Sequence, residues 1–98
     1  TAQAAQRLGI ETAPVSEVQI HKASRLAVPY SALLYDLNGK TWVYTQTGSL
    51  TFERAAVAVD TINGDQVLLL TGPPVGTRVV TVGVAELYGT EFKGGLEP

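Results

Sequence analysis

With 98 residues the chain holds one domain and has no room for a second hydrophobic core. Hydrophobic residues at 45% against charged residues at 16% exclude a disordered tail. Nine acidic and seven basic side chains leave a net charge of -2 and a pI of 5.2, and the bases are scattered, so no phosphate-tracking stripe exists and no nucleic-acid partner is expected.

Cysteine and methionine are absent, which excludes thiol catalysis, disulfides and thiolate or thioether metal ligands. The longest apolar runs, such as residues 67–70, fall far short of the ~20 residues of a membrane-spanning helix. No direct membrane span is expected. The chain opens on Thr1 with no charged-then-apolar leader, which suggests a processed or excised piece.

In chain order, residues 1–9 pair a hydroxyl cap and helix formers with Gly9, predicting one short N-terminal helix. Residues 10–22 alternate as a strand, with Pro14 at an edge or bulge and His21 on the polar side. Residues 25–35 form a second extended segment that Pro29 keeps from being fully paired. Asn38-Gly39, between Leu33-Leu34-Tyr35 and Trp42-Val43-Tyr44, predicts a hairpin closed by a two-residue turn with positive φ at both positions. Gly48 predicts a second hairpin, between residues 41–47 and 50–60, and Asn63-Gly64-Asp65 a third, between 57–59 and 67–70. Gly72-Pro73-Pro74-Val75-Gly76 is a rigid connection into residues 78–82, whose apolar side chains do not alternate, as in a strand covered on both faces. Residues 85–88 make a single helical turn ending at Gly89, and residues 90–98 read as a flexible tail. The whole is mainly β: a small roll or barrel of about six or seven mostly antiparallel strands, since hairpin-linked short strands must hide their edges.

Reactive chemistry is sparse. The lone His21 lacks partner ligands for zinc, which takes three or four protein ligands. Ser31, His21 and Asp36 could be assembled into a triad on paper, but no nucleophile elbow accompanies them. Residues 60–65 are half the length of a calcium loop and lack its closing glutamate, so Asp36 and Asp65 read as turn residues that bond their own backbone. Trp42, Tyr44 and Phe52 could form a base-stacking platform, yet without a basic frame cross-strand packing is the stronger reading. No enzyme activity, cofactor or metal site is expected.

Four stretches carry a resemblance. They are Arg7-Leu8-Gly9-Ile10-Glu11-Thr12-Ala13-Pro14-Val15; Val28-Pro29-Tyr30-Ser31-Ala32-Leu33-Leu34 with Asn38-Gly39 and Trp42-Val43-Tyr44; Phe52-Glu53-Arg54-Ala55-Ala56-Val57; and Gly76-Thr77-Arg78-Val79-Val80-Thr81-Val82-Gly83 with Leu87. In this order they resemble the periplasmic adaptor subunits, or membrane fusion proteins, of resistance-nodulation-division (RND) efflux pumps, and in particular the heavy-metal branch.

The resemblance implies that residues 1–98 are a single membrane-proximal domain, a β-roll assembled from both ends of an adaptor. It implies a non-catalytic scaffolding role in contact with an inner-membrane RND-type transporter, and contact with other adaptor protomers. The implied location is periplasmic or extracytoplasmic, at the membrane through a removed signal or anchor or through a partner. Complete adaptors place a barrel domain, a lipoyl-like domain and usually a helical hairpin where this chain has only residues 16–27. The alternative is therefore a stand-alone extracytoplasmic binding or regulatory protein of the same fold. Rigid prolines and exposed aromatics make Pro73, Pro74, Val75, Tyr88 and Phe92 the expected partner contacts.

Overall fold

In the computed structural model the backbone is described for residues 9–49 and 51–96, and the side chains for 9–49 and 51–90. Nine strands are described: β1 (Glu11–Pro14), β2 (Ser16–Ile20), β3 (Ala23–Pro29), β4 (Leu34–Tyr35), β5 (Thr41–Gly48), β6 (Thr51–Ala56), β7 (Ala58–Asn63), β8 (Gln66–Thr71) and β9 (Arg78–Val82). One 3₁₀ turn, Tyr30–Ala32, links β3 to β4, and the helix α1 runs over Val84–Leu96.

Two antiparallel sheets curl together as a half-barrel. Sheet A runs β1-β9-β5-β4, with β6 on the other edge of β5; sheet B runs β2-β3-β8-β7. The chain passes from sheet A to sheet B at two valines. Val15 lies between β1, which pairs with β9, and β2, which pairs with β3. Val57 lies between β6, which pairs with β5, and β7, which pairs with β8. Both corners are buried, at 1% and 8% exposure, and a buried backbone must keep its hydrogen bonds. Val15 donates to the Thr77 carbonyl at 2.8 Å and accepts from Gly76 at 2.9 Å; Val57 donates to Thr41 at 3.1 Å and accepts from the Thr41 hydroxyl at 2.7 Å.

These corners, with the 3₁₀ turn Tyr30–Ala32 that divides the expected segment 25–35 into β3 and β4, account for nine strands where the sequence predicted six or seven. Residues 10–22 and 50–60, each expected to form one strand, divide at Val15 and Val57 between sheets. Residues 10–22 also end as strand at Ile20: His21 (φ 49) and Lys22 (φ 70) form a two-residue turn into Ala23, so His21 is an exposed turn residue.

The expected pairing partners of the three glycine hairpins are present, but the geometry of the first differs from expectation. Only Gly39 has positive φ (+80). Gly39 donates to the Asp36 carbonyl and Asp36 to the Lys40 carbonyl, giving a three-residue loop with glycine in the left-handed position. The Asp36 side chain is the cause: its carboxylate accepts the backbone N–H of Asn38 at 2.8 Å and of Lys40 at 2.9 Å.

Alternation along β5 and β9 builds two cores, one on each face of sheet A. Val43 and Val79 point between the sheets, with Val15, Val28, Val67 and Leu69. Tyr44 and Val80 point outward, where they meet Val84, Leu87 and Tyr88 of α1. The double cover read from the β9 sequence is thereby explained. Val84, Leu87 and Tyr88 are spaced i, i+3, i+4, the stripe a surface helix lays on a sheet.

This helix is C-terminal. The predicted helix over residues 1–9 falls on residues 1–8, which lie outside the described ones. At the other end, the turn expected to stop at Gly89 continues through Thr90 to Leu96, where a tail was expected. Gly89 keeps a helical φ and an added Cβ would meet nothing, so it does not act as a cap. Gly83 carries the special geometry instead, with φ +102 and its carbonyl accepting the Leu87 N–H at 3.0 Å.

Candidate partner-binding surface

One end of sheet A gathers polar and aromatic side chains around the β4–β5 hairpin. Asp36 anchors it. Besides its two backbone bonds, its Oδ2 accepts the Trp42 indole N–H at 3.0 Å. That indole bond, aided by the bonds from Lys40 and Asn38 and the Lys40 charge, holds the Asp36 carboxyl below the ordinary 3.8 against the opposing effect of burial. The Arg54 guanidinium lies over the Trp42 ring at 4.4 Å and over Tyr88 of α1 at 5.8 Å. Hairpin, sheet and helix are thus tied by a chain of contacts, Asp36 to Trp42 to Arg54 to Tyr88.

What this scaffold presents is Leu37. It is 96% exposed at the tip of a turn whose backbone Asp36 has fixed, and Tyr35, at the end of β4, is half-exposed. A rigid tip carrying a bare apolar side chain has little entropy left to lose on docking. The sequence reading missed Leu37. Its signal was present: a large apolar residue in an Asp-Leu-Asn-Gly turn has no core to enter.

The expected contacts do not form one patch. Pro73 is buried, whereas Pro74 and Val75 are exposed in the loop that enters β9 at Arg78, a loop pinned to the Val15 corner by the Gly76 and Thr77 backbone bonds. Tyr88 is half-buried on the helix that leaves β9 after Val82, beside Arg54. Phe92 falls within the backbone span of α1, with its side chain outside the described ones. Tyr88 therefore groups with the Leu37 end, and Pro74 with Val75 at the opposite end of β9.

Other sequence candidates resolve as packing or turns. Tyr44 is 3% exposed and Phe52 packs against it beneath α1, so Trp42, Tyr44 and Phe52 offer no open stacking platform. His21, Ser31 and Asp36 lie on three different connections, and the Asp36 carboxylate is engaged by Trp42. Among the described residues no group of three or more His, Cys, Asp or Glu could hold a metal ion, and no helix is long and apolar enough to cross a membrane. An open cleft of about 330 Å³ lies where Pro14, Ser16, Val28, Pro29 and Asp65 meet.

No family model matches the chain, and no curated protein matches it. Among solved structures, it is similar to a 180-residue piece of SilB from Cupriavidus metallidurans CH34 that encompasses that protein's N-terminal metal-binding site and membrane-proximal domain. The match has a TM-score of 0.66 and 29% identity, and covers 84% of this chain. The chain spans about half of that structure, 47% of its length. The sequence motifs and the structural match give the same assignment: this chain resembles the membrane-proximal domain of a heavy-metal RND adaptor.

Proposed function

We propose that this domain is a non-catalytic scaffolding module of an efflux-pump adaptor, working outside the cytoplasm, where it contacts an inner-membrane RND-type transporter. The match to the SilB membrane-proximal domain over most of the chain carries this reading. The contact is made at the β4–β5 end. Leu37 enters an apolar socket on the transporter, and the Asp36 bonds keep the tip in shape. Metal binding is not transferred from SilB: this chain has no cysteine or methionine.

The test is photocrosslinking in cells that co-express an RND-type transporter, with probes at Leu37, at Pro74 and on exposed Leu70 of sheet B. Crosslinks concentrated at Leu37 support the surface. Crosslinks at Pro74 alone move the contact to the β8–β9 loop, and none at any position counts against the adaptor role.

A second reading, a stand-alone extracytoplasmic binding or regulatory protein, is favoured by one observation. Only residues 16–27 stand where complete adaptors carry their barrel, lipoyl and hairpin parts, and they form little more than the β2–β3 hairpin. Normal efflux in a strain lacking this protein would favour it.

A further inference from the structure

We propose that β2 is a pairing edge at which a second copy of this chain adds its own β2, antiparallel, about a twofold axis through Val18. Sheet edges are templates for strand addition unless they are blunted. Among the described outer strands, β4 has only two residues, β1 carries Pro14 and a register shift, β7 pairs through two shifts, and β6, regular over Phe52–Ala56, pairs through a shift at its turn end. β2 combines five residues with an unbroken register from Ser16 opposite Ala27 to Ile20 opposite Ala23.

The register of the added strand follows from the hairpin. A two-residue turn makes Ile20 and Ala23 a hydrogen-bonded pair, and alternation makes Val18 with Arg25 and Ser16 with Ala27 pairs of the same kind. The N–H and C=O groups of Glu17 and Gln19 therefore point away from β3, along the outer edge. An antiparallel newcomer must bond to those two residues. With the twofold axis at Val18, Glu17 faces Gln19 of the second copy and Gln19 faces Glu17, which closes four backbone bonds. Moving the axis to Glu17 sets that carboxylate against its own copy. Moving it to Gln19 pairs Glu17 with His21, which has left the strand at φ 49. Charge and backbone direction thus select one register.

The side chains agree with it. Leu26, opposite Glu17, packs into the core, so Ser16, Val18 and Ile20 share the outer face of sheet B. In the proposed pair Val18 meets Val18 at the narrow non-hydrogen-bonded position. Ile20, 38% exposed, extends that apolar strip on both sides of the axis. One five-residue edge buries little area, so the dimer is weak and concentration-dependent.

Sedimentation equilibrium on the full chain up to about 1 mM tests this, since a contact below the standard interface size associates in the micromolar-to-millimolar range. Gln19→Lys sets two Lys–Glu pairs across the axis and lowers Kd about fivefold, Gln19→Glu raises it about fivefold, and Glu17→Lys with Gln19→Glu restores the tighter value. Gln19 also donates to the Ser24 hydroxyl at 2.7 Å, an exposed bond, so amide NMR spectra check that each variant keeps the fold. Glu17→Pro removes an outward N–H, which an edge strand tolerates, and abolishes the dimer. Wild type and Gln19→Lys both monomeric at about 1 mM, or a dimer indifferent to the charges at 17 and 19, would overturn the proposal.

Discussion

The Trp42 indole N–H donates to the Asp36 carboxylate at 3.0 Å, across the turn that the same carboxylate closes through Asn38 and Lys40. One side chain thereby fixes the loop conformation and joins it to the first residues of β5. The bonded form is the charged one, which sets the pH dependence. With its folded pKa lowered, Asp36 contributes stability that is fully present above its ordinary 3.8 and is lost as pH falls through the lowered value. The melting temperature of Asp36→Ala should lie below that of wild type at pH 7, and the gap should narrow below roughly pH 4. The chain has a single tryptophan, so its emission reports this bond directly. Wild-type emission should shift on acidification while that of Asp36→Ala stays flat; a common shift in both proteins would assign the effect elsewhere.

Gly39 supplies the left-handed residue of the same loop, and a Cβ added there would meet nothing within 4 Å. The cost of substitution is therefore backbone strain alone. Gly39→Val should lose about 1–2 kcal/mol and Gly39→Asn markedly less, because asparagine tolerates this conformation. Equal losses in chemical denaturation would mean that strain at φ is not the cause.

Turn chemistry is weakest at His21 and Lys22, two non-glycine residues with positive φ. Asn-Gly is the pair this hairpin geometry prefers. Replacing His21-Lys22 by Asn-Gly should raise stability by about 1 kcal/mol, read as a higher denaturation midpoint at unchanged slope. An unchanged midpoint would show that the turn is not left-handed at both positions in solution.

The two glycines that bound the start of α1 should respond with opposite signs. Gly89 is inside the helix with open space around its Cβ position, so Gly89→Ala should stabilise by about 0.5–1 kcal/mol. Gly83 has φ +102, and a Cβ there would stand 2.8 Å from Ile10 Cγ1. Gly83→Ala should destabilise by about 1–3 kcal/mol, from strain and from displacement of Ile10. Thermal melts of the pair check both signs at once.

The same two glycines show why the helix was only partly legible in the sequence. A glycine after a short apolar turn reads as a cap, and nothing local to Gly89 reveals that Val84, Leu87 and Tyr88 have sheet A to pack against. The hairpins were legible because Asn38-Gly39, Gly48 and Asn63-Gly64 act within a few residues of themselves. Val15 and Val57 look like ordinary strand valines, since a corner is defined by two sheets that meet only after folding. At the candidate surface, Tyr88 was legible as an aromatic near a chain end. Leu37 was passed over because the turn residues around it drew the reading to backbone geometry.

The Val15 corner makes the last prediction. β1 covers the outer edge of β9 from Glu11 to Pro14, and Val15 then enters the core between the sheets at 1% exposure while bonding Gly76 and Thr77. Removing residues 1–22 deletes β1, β2 and this corner together. It leaves Val79 and Val80 at a naked edge and takes the Val15 partner from the Gly76 N–H and the Thr77 carbonyl. The truncated chain should lose cooperative melting and amide dispersion in NMR spectra. A graded version keeps the chain intact: Val15→Ala should cost about 2–3 kcal/mol, while Val82→Ala, at a site 46% exposed, should cost below about 0.5. A truncated protein that still melts cooperatively would show that β3 to β9 fold without the N-terminal strand, and a Val15→Ala loss no larger than that of Val82→Ala would remove the corner from the core.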